Sequence, residues 1–247
     1  MRPWRTPSPR AVGGALGAAL LGHALPSVTA LPAVRLRLFP EFSGVGDPGR
    51  VALTFDDGPD PVSTPRFLEV LAAHRVRATF FLVGSMLARA PGLGGELVAA
   101  GHEVAVHGWT HRNLLRLGPW ATYRELARTR DLVAAATGTT PRFFRPPYGI
   151  LTAPALLAAR RLELIPVLWT CWGRDWTRDS TPRSVFDTVR RGLAGGGTVL
   201  LHDSDCTSAP DSWRATLAAL PDLLAECARR GWQVGPLREH GLPTLPT

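Results

Sequence analysis

From residue 50 onward, short apolar runs alternate with longer stretches whose apolar positions recur every three or four residues. The runs at 51–55 (VALTF), 78–83 (ATFFLV), 103–107, 143–145, 164–169, 198–202 (TVLLH) and 232–234 predict strands, the most apolar of them buried on both faces. Between them, residues 64–74 carry Phe67, Leu68 and Leu71 at helical spacing. Helices are likewise predicted up to residue 100 and over 119–137, 153–161, 183–191 and 213–230. Seven β/α units of this length imply a parallel sheet closed, or nearly closed, into a barrel. No linker rich in Pro, Gly or Ser divides the region and no repeat is present, so it reads as a single domain of catalytic size.

Residues 1–30 read as an export signal. Arg2, Arg5 and Arg10 precede a small-residue apolar stretch from Ala11 to Gly22, and Val28-Thr29-Ala30 offers a small-x-small cleavage site. An uncleaved anchor and a loosely packed extension are the alternatives. Residues 31–47 form a short lead-in, and the folded domain is assigned to 48–240.

Composition narrows the class. The chain has 247 residues, 45% hydrophobic and 19% charged, which excludes a disordered chain, a collagen-like repeat and a small disulfide scaffold. Its 28 basic residues are all Arg, against 20 acidic ones, for a formal charge of +8. Arg160-Arg161, Arg190-Arg191 and Arg229-Arg230 each end a helix-like stretch, where cations complement the helix dipole, and Gly192 and Gly231 follow the last two as left-handed stops. No basic stripe interleaves with aromatics, so nucleic acid is not an expected partner. Cys171, Cys206 and Cys227 show no CxxC spacing and read as buried, inert thiols. The chain is expected to act as a monomer, with membrane contact confined to residues 1–30.

The unusual polar residues cluster where the predicted strands end. These are Asp56-Asp57-Gly58-Pro59, His107-Gly108-Trp109-Thr110-His111, Arg145-Pro146-Pro147-Tyr148-Gly149, Trp169 to Asp175-Trp176, and His202-Asp203. In a β/α barrel all these ends open on one face, where active sites are built. Two histidines four apart share a face of a helical turn. One aspartate would complete a two-His, one-Asp set with open positions, as catalytic Zn²⁺ sites have. Neighbouring aspartates on an extended strand point opposite ways, so one binds the ion and the other is free as a base. Each motif alone has a structural explanation: a solvated His pair, a turn, a rigid loop. Five of them at strand ends reverse that reading. His23, His74, His102 and His240 have no partners in pattern and read as structural or surface residues.

These motifs, in this order and over about residues 48–236, resemble those of the polysaccharide deacetylases, the NodB-homology or carbohydrate esterase 4 family. The carriers are Thr54-Phe55-Asp56-Asp57-Gly58-Pro59, His107 to His111, Arg145 to Gly149, Asp175-Trp176 and Leu200-Leu201-His202-Asp203. The resemblance implies a distorted (β/α)7 barrel and metal-dependent removal of N- or O-acetyl groups from a glycan such as peptidoglycan or a chitin-like polymer. By position, Asp57, His107 and His111 would bind one divalent metal, zinc in most of the family. Asp56 would be the general base and His202 the general acid. Arg145 would hold Asp56, and Asp175 would hold His202. Trp176 and Leu200 would line the acetyl pocket, and the Tyr148 N–H would help stabilise the oxyanion. Two positions depart from the pattern. Gly108 stands where the family carries Ser or Thr, which shifts the bracing of that loop elsewhere, for instance to Thr110. Trp172 stands where an Asp often opens the fourth motif.

Rival readings remain at this point. A non-haem Fe(II) oxygenase shares the two-His, one-carboxylate set but places it on a double-sheet β fold. A zinc protease needs a Glu after the first His, and position 108 is Gly. A glycan-binding protein without chemistry conflicts with the intact polar set, whereas a same-fold deformylase is compatible with it. Trp109, Trp120, Trp169, Trp172 and Trp176 are candidate sugar-stacking residues. An export signal would make the protein extracellular or envelope-bound.

Overall fold

A computed structural model describes residues 9–242; Arg2 and Arg5 of the export reading lie outside the described residues. One sheet contains β1 (Arg50–Asp56), β2 (Thr79–Leu82), β3 (Glu103–Val106), β4 (Phe143–Phe144), β5 (Ile165–Pro166), β6 (Cys171–Trp172), β7 (Thr198–His202) and β8 (Gln233–Gly235). Every pairing is parallel, in the order β5-β4-β3-β2-β1-β7-β6, with β8 against β1. Around it lie α1 (Pro9–Ala24), α2 (Pro32–Leu38), α3 (Thr64–Ala73), α4 (Gly84–Arg89), α5 (Pro91–Ala99), α6 (Pro119–Thr137), α7 (Ala153–Arg161), α8 (Pro182–Gly192) and α9 (Trp213–Arg229). This is the nearly closed parallel barrel that the alternation predicts and the distorted form that the family resemblance implies, left open between β5 and β6.

Three expected elements change. The helix before residue 100 is two helices, because Ala90 leaves helical geometry (φ −140°, ψ 61°) ahead of Pro91. The strand expected over 164–169 pairs with β4 only at Ile165–Pro166, and the chain then crosses to β7 as β6. The arginine pairs do fall at the ends of α7, α8 and α9, but only Gly231 (φ +71°) is a left-handed stop, since Gly192 is still helical. Among the described residues, no single helix is long and apolar enough to cross a membrane.

Strand alternation sorts the core. Val51, Leu53 and Phe55 of β1, Phe80 and Leu82 of β2 and Val104 of β3 pack outward with α3, α8 and α9. The intervening Ala52, Phe81 and Ala105 face the barrel interior with Phe143, Val167 and Leu237. Following the same parity, Thr54 and Asp56 point inward at the top of β1.

Val167 N still donates to Phe144 O of β4 at 2.9 Å, but beyond it the open seam leaves the carbonyls of residues 167–169 without a neighbouring strand, and buried carbonyls need partners. Two arginines supply them. Arg145 Nε and Nη2 donate to Val167 O and Leu168 O at 3.2 and 2.9 Å, and Arg35 Nη2 donates to Trp169 O at 2.7 Å. From the lead-in, Phe42 O accepts from Leu168 N at 2.9 Å and Gly44 O accepts from the Thr198 hydroxyl at 2.6 Å.

Candidate active site

Asp56 sits 3% exposed beneath the barrel mouth, where Arg145 Nη1 donates to its Oδ1 at 2.7 Å. The same guanidinium nitrogen donates to Thr54 Oγ1 at 2.7 Å, so Arg145, fully buried, is fixed on the barrel interior. Burial pushes the Asp56 carboxyl above its ordinary range, and the adjacent Arg145 opposes that rise.

The expectation that Asp56 and Asp57 diverge is corrected here. The strand ends at Asp56 and Asp57 adopts a left-handed backbone (φ +79°), so the two carboxylates turn to one place. Asp56 Oδ2 lies 3.6 Å and Asp57 Oδ1 3.5 Å from His107 Nε2. Gly58 follows because a Cβ there would collide with the Asp203 carboxylate.

His107 and His111 converge too, but not on a helical turn. Residues 107–111 form a loop, with Gly108 (φ +80°) and His111 (φ +54°) left-handed, which brings the ring centroids to 4.9 Å. The loop is held from two sides. Gly84 N and Ser85 N, at the start of α4, donate to Gly108 O and Trp109 O at 2.9 and 2.8 Å. On the other side, Glu125 of α6 accepts from Trp109 N and Thr110 N at 3.0 and 3.2 Å. The bracing that a Ser or Thr hydroxyl would give at 108 therefore comes chiefly from Glu125, and the Thr110 hydroxyl only adds a 3.5 Å contact to the same carboxylate.

These residues fit a metal. Asp57, His107 and His111 each offer one ligand atom, all within 4.8 Å of one another. Asp57 Oδ1 is buried without a hydrogen-bond partner, and its Oδ2 accepts from the Thr207 hydroxyl at 2.5 Å. His107 Nδ1–H donates to Arg145 O at 2.8 Å, which leaves Nε2 with its lone pair facing Asp57. Burial lowers His107 to about 3 and also lowers His111, so both imidazoles are neutral, as ligands must be.

Across the mouth, His202 Nδ1–H donates to Asp175 Oδ1 at 2.9 Å, while its backbone N–H and the Thr216 hydroxyl donate to Asp175 Oδ2 at 2.8 and 2.7 Å. Burial alone would lower His202, but the Asp175 charge and hydrogen bond, with Asp57 and Asp56 behind them, raise it to about 10. At Asp175 the His202 charge, with the hydrogen bonds from His202 and Thr216, outweighs burial and holds the carboxyl below the ordinary range.

A cavity of about 250 Å³ joins these groups, lined by Asp56, His107, His111, Tyr148, Trp176, Leu200 and His202 among others. Tyr148 has φ +60°, and its turn is closed by Gly149 N to Pro146 O and Ile150 N to Pro147 O, which leaves the Tyr148 N–H outside that ladder. Trp169 and Trp172 stack at 6.1 Å, Trp172 meets Trp176 edge-on at 5.1 Å, and Trp176 meets His202 edge-on at 5.7 Å. Trp172, 40% exposed, thus extends the apolar wall where the family pattern has an acid. Trp109 and Trp120 do not line this cavity. Trp109 packs against Gly84 beneath Arg128, and Trp120 stacks on Tyr123 at the surface.

Sequence reasoning missed Thr207, Glu125, Thr216 and Arg35, none of which lies in a patterned motif. The inert-thiol reading holds for buried Cys171 and Cys227, but Cys206 is exposed, and its Sγ contacts Asp57 O at 3.3 Å. His102 and His240 are buried structural residues, bonded to Ala78 N and Gly196 O at 3.1 Å each.

Residues 43–167 match the family model described as polysaccharide deacetylase. A chitooligosaccharide deacetylase of Bradyrhizobium sp. (strain ANU 289) is 40% identical over 195 residues, covering 76% of this chain and 88% of that one. The peptidoglycan-N-acetylglucosamine deacetylase PgdA of Listeria monocytogenes is 36% identical over 160 residues, 65% of this chain but only 34% of that longer protein. Among solved structures, a family 4 carbohydrate esterase from Streptomyces lividans, in complex with acetate, superposes with TM-score 0.68 at 36% identity, covering 76% of this chain and 92% of that one.

Proposed function

We propose, from the premise that this chain belongs to the polysaccharide deacetylase family, that it removes N-acetyl groups from an exported glycan of the chitin or peptidoglycan type. The observation that carries this reading is the convergence of Asp56, the Asp57–His107–His111 set and the His202–Asp175 pair on one 250 Å³ cavity. Asp57, His107 and His111 would hold a divalent cation, Zn²⁺ by the nature of its N and O donors. When bound, the cation supplies Lewis-acid polarisation of the amide carbonyl and increases the acidity of the attacking water.

The protein's own groups do the rest. Asp56 Oδ2 takes the proton of the attacking water as the new C–O bond forms, while Arg145 keeps Oδ1 fixed and opposes the protonation that burial favours. The Tyr148 N–H, not used in closing its own turn, would donate to the oxyanion. His202, protonated through Asp175, gives its proton to the departing amine as the C–N bond breaks, leaving acetate and a glucosamine-type sugar. Trp176 and Leu200 enclose the acetyl methyl, and Trp169 and Trp172 offer faces for sugar rings. The arginines before the apolar stretch at 11–22 support export. The test is acetate release from a panel of N- and O-acetylated glycans by protein stripped of metal and then reloaded. Release from N-acetylated chitooligosaccharide only when reloaded is expected; formate release from formylated amides without acetate release would replace the reading with a deformylase.

A further inference from the structure

The barrel seam is closed from outside by a residue of the lead-in. Arg35, on α2, is 2% exposed, and its Nη1 and Nη2 donate to Thr29 O and Trp169 O at 2.5 and 2.7 Å. Its Cζ lies 5.8 Å from the Trp169 ring centroid, the same distance as Arg145 Cζ, so two guanidinium groups lie near one indole. Both hydrogen-bond partners of Arg35 are carbonyl oxygens rather than carboxylates, and its Nε is buried without a partner. Burying a guanidinium with no anion is expensive, so at a position free to vary an apolar side chain would pack more cheaply. What the guanidinium adds is the bond to Trp169 O at the seam between β5 and β6, the two edges of the sheet. The Trp169 ring lines the cavity and lies directly against Gly149, where a Cβ would approach its Cη2 to 2.6 Å.

We infer that Arg35 is a positioning residue for the sugar-binding wall: it fixes Trp169 across the open seam, and the lead-in at 31–47 is part of the catalytic unit. This rests on the hydrolase reading above for the identity of the ligand, though not for the Arg35–Trp169 contact itself. Cleavage after Ala30 would remove Thr29 and leave the Trp169 carbonyl as the retained partner, so the mature protein would keep the contact.

The experiment uses the full chain with Arg35→Met, Arg35→Lys, Trp169→Phe and the Arg35→Met/Trp169→Phe double variant, each checked for folding by circular dichroism. With N-acetylated chitooligosaccharide, Arg35→Met and Trp169→Phe are each expected to raise KM about tenfold with kcat within about twofold, and the double variant to be no worse than either. Arg35→Lys, which reaches one carbonyl with one ammonium, recovers part of the loss, and it carries the comparison if Arg35→Met does not fold. Losses that multiply in the double variant, or an unchanged KM in the folded Arg35 variants, overturn the inference. A second readout is independent of turnover. The Trp169 emission, taken as parent minus Trp169→Phe, is expected to shift red when the same difference is taken in the Arg35→Met background. An unshifted Trp169 spectrum overturns the inference even if the parent proves inactive, whereas an inactive parent with a shifted spectrum counts against the hydrolase reading alone.

Discussion

Asp56 and Asp57, neighbours in sequence, present carboxylate oxygens 3.6 and 3.5 Å from the same atom, His107 Nε2. An extended chain would send them to opposite faces; the left-handed backbone at Asp57 (φ +79°) cancels that alternation. Their second oxygens tell them apart. Asp56 gives Oδ1 to Arg145, which can only donate, while Asp57 gives Oδ2 to the neutral Thr207 hydroxyl and leaves Oδ1 without a partner. One carboxylate is thus tied to a fixed cation and the other is open to a mobile one.

The pH profile follows from His202. The residue must be protonated to serve the leaving amine, so activity falls as pH rises through its pKa, which Asp175 and the neighbouring aspartates raise to about 10 despite burial. A cation at Asp57 would cancel that carboxylate's share, leaving Asp175 as the main support. The alkaline limb of kcat/KM is therefore expected between the ordinary imidazole value of about 6.5 and about 10. Asp175→Asn removes the charge while burial persists, so the limb should move to lower pH, with a larger loss at pH 9 than at pH 6. A limb that stays in place in Asp175→Asn contradicts the assignment.

Glu125 should matter to metal affinity without touching the metal. Glu125→Ala frees the N–H groups of Trp109 and Thr110 and loosens the loop between the two histidines. Removal of such an outer support weakens metal binding about 10- to 100-fold. Glu125→Gln, which keeps a carbonyl acceptor, should stay close to the parent. Competition titration against a chromophoric chelator reads the difference; equal affinities for Glu125→Ala and the parent would exclude the brace.

Arg145→Met has two expected signatures. It strands the Asp56 carboxyl and the Val167 and Leu168 carbonyls in the interior, at a cost of about 3–5 kcal/mol in urea unfolding. Arg145 also opposes the rise that burial imposes on Asp56. Its loss raises that carboxyl further, and because Asp56 must be ionised, the acid limb of kcat/KM should move to higher pH. A variant with parental stability and an unmoved acid limb would show that the pair is not coupled.

The strand-end clustering of Asp56, His107, Arg145, Asp175 and His202 was legible because β/α alternation places every strand end on one face, whatever the local geometry. Details that depend on single backbone angles were not. The histidines four apart suggested a helical turn, yet Gly108 and His111 reach the same convergence through left-handed loop geometry. The run at 164–169 has strand composition throughout, but Pro166 and the crossing to β7 divide it, and nothing local shows where pairing switches partner. Arg35 lies 134 residues from the carbonyl it satisfies, and Glu125 looks like any polar residue on a helix face. Contacts of that kind are set by the closed tertiary structure, which periodicity does not encode.

The division of labour between the two aspartates is tested most directly by measuring bound metal and acetate release together in Asp57→Ala and Asp56→Asn. The account predicts that Asp57→Ala retains no stoichiometric metal. Asp56→Asn should bind metal like the parent and lose turnover by a factor of about 10² to 10⁴. Parental acetate release from metal-loaded Asp56→Asn, or full metal occupancy in Asp57→Ala, would contradict it.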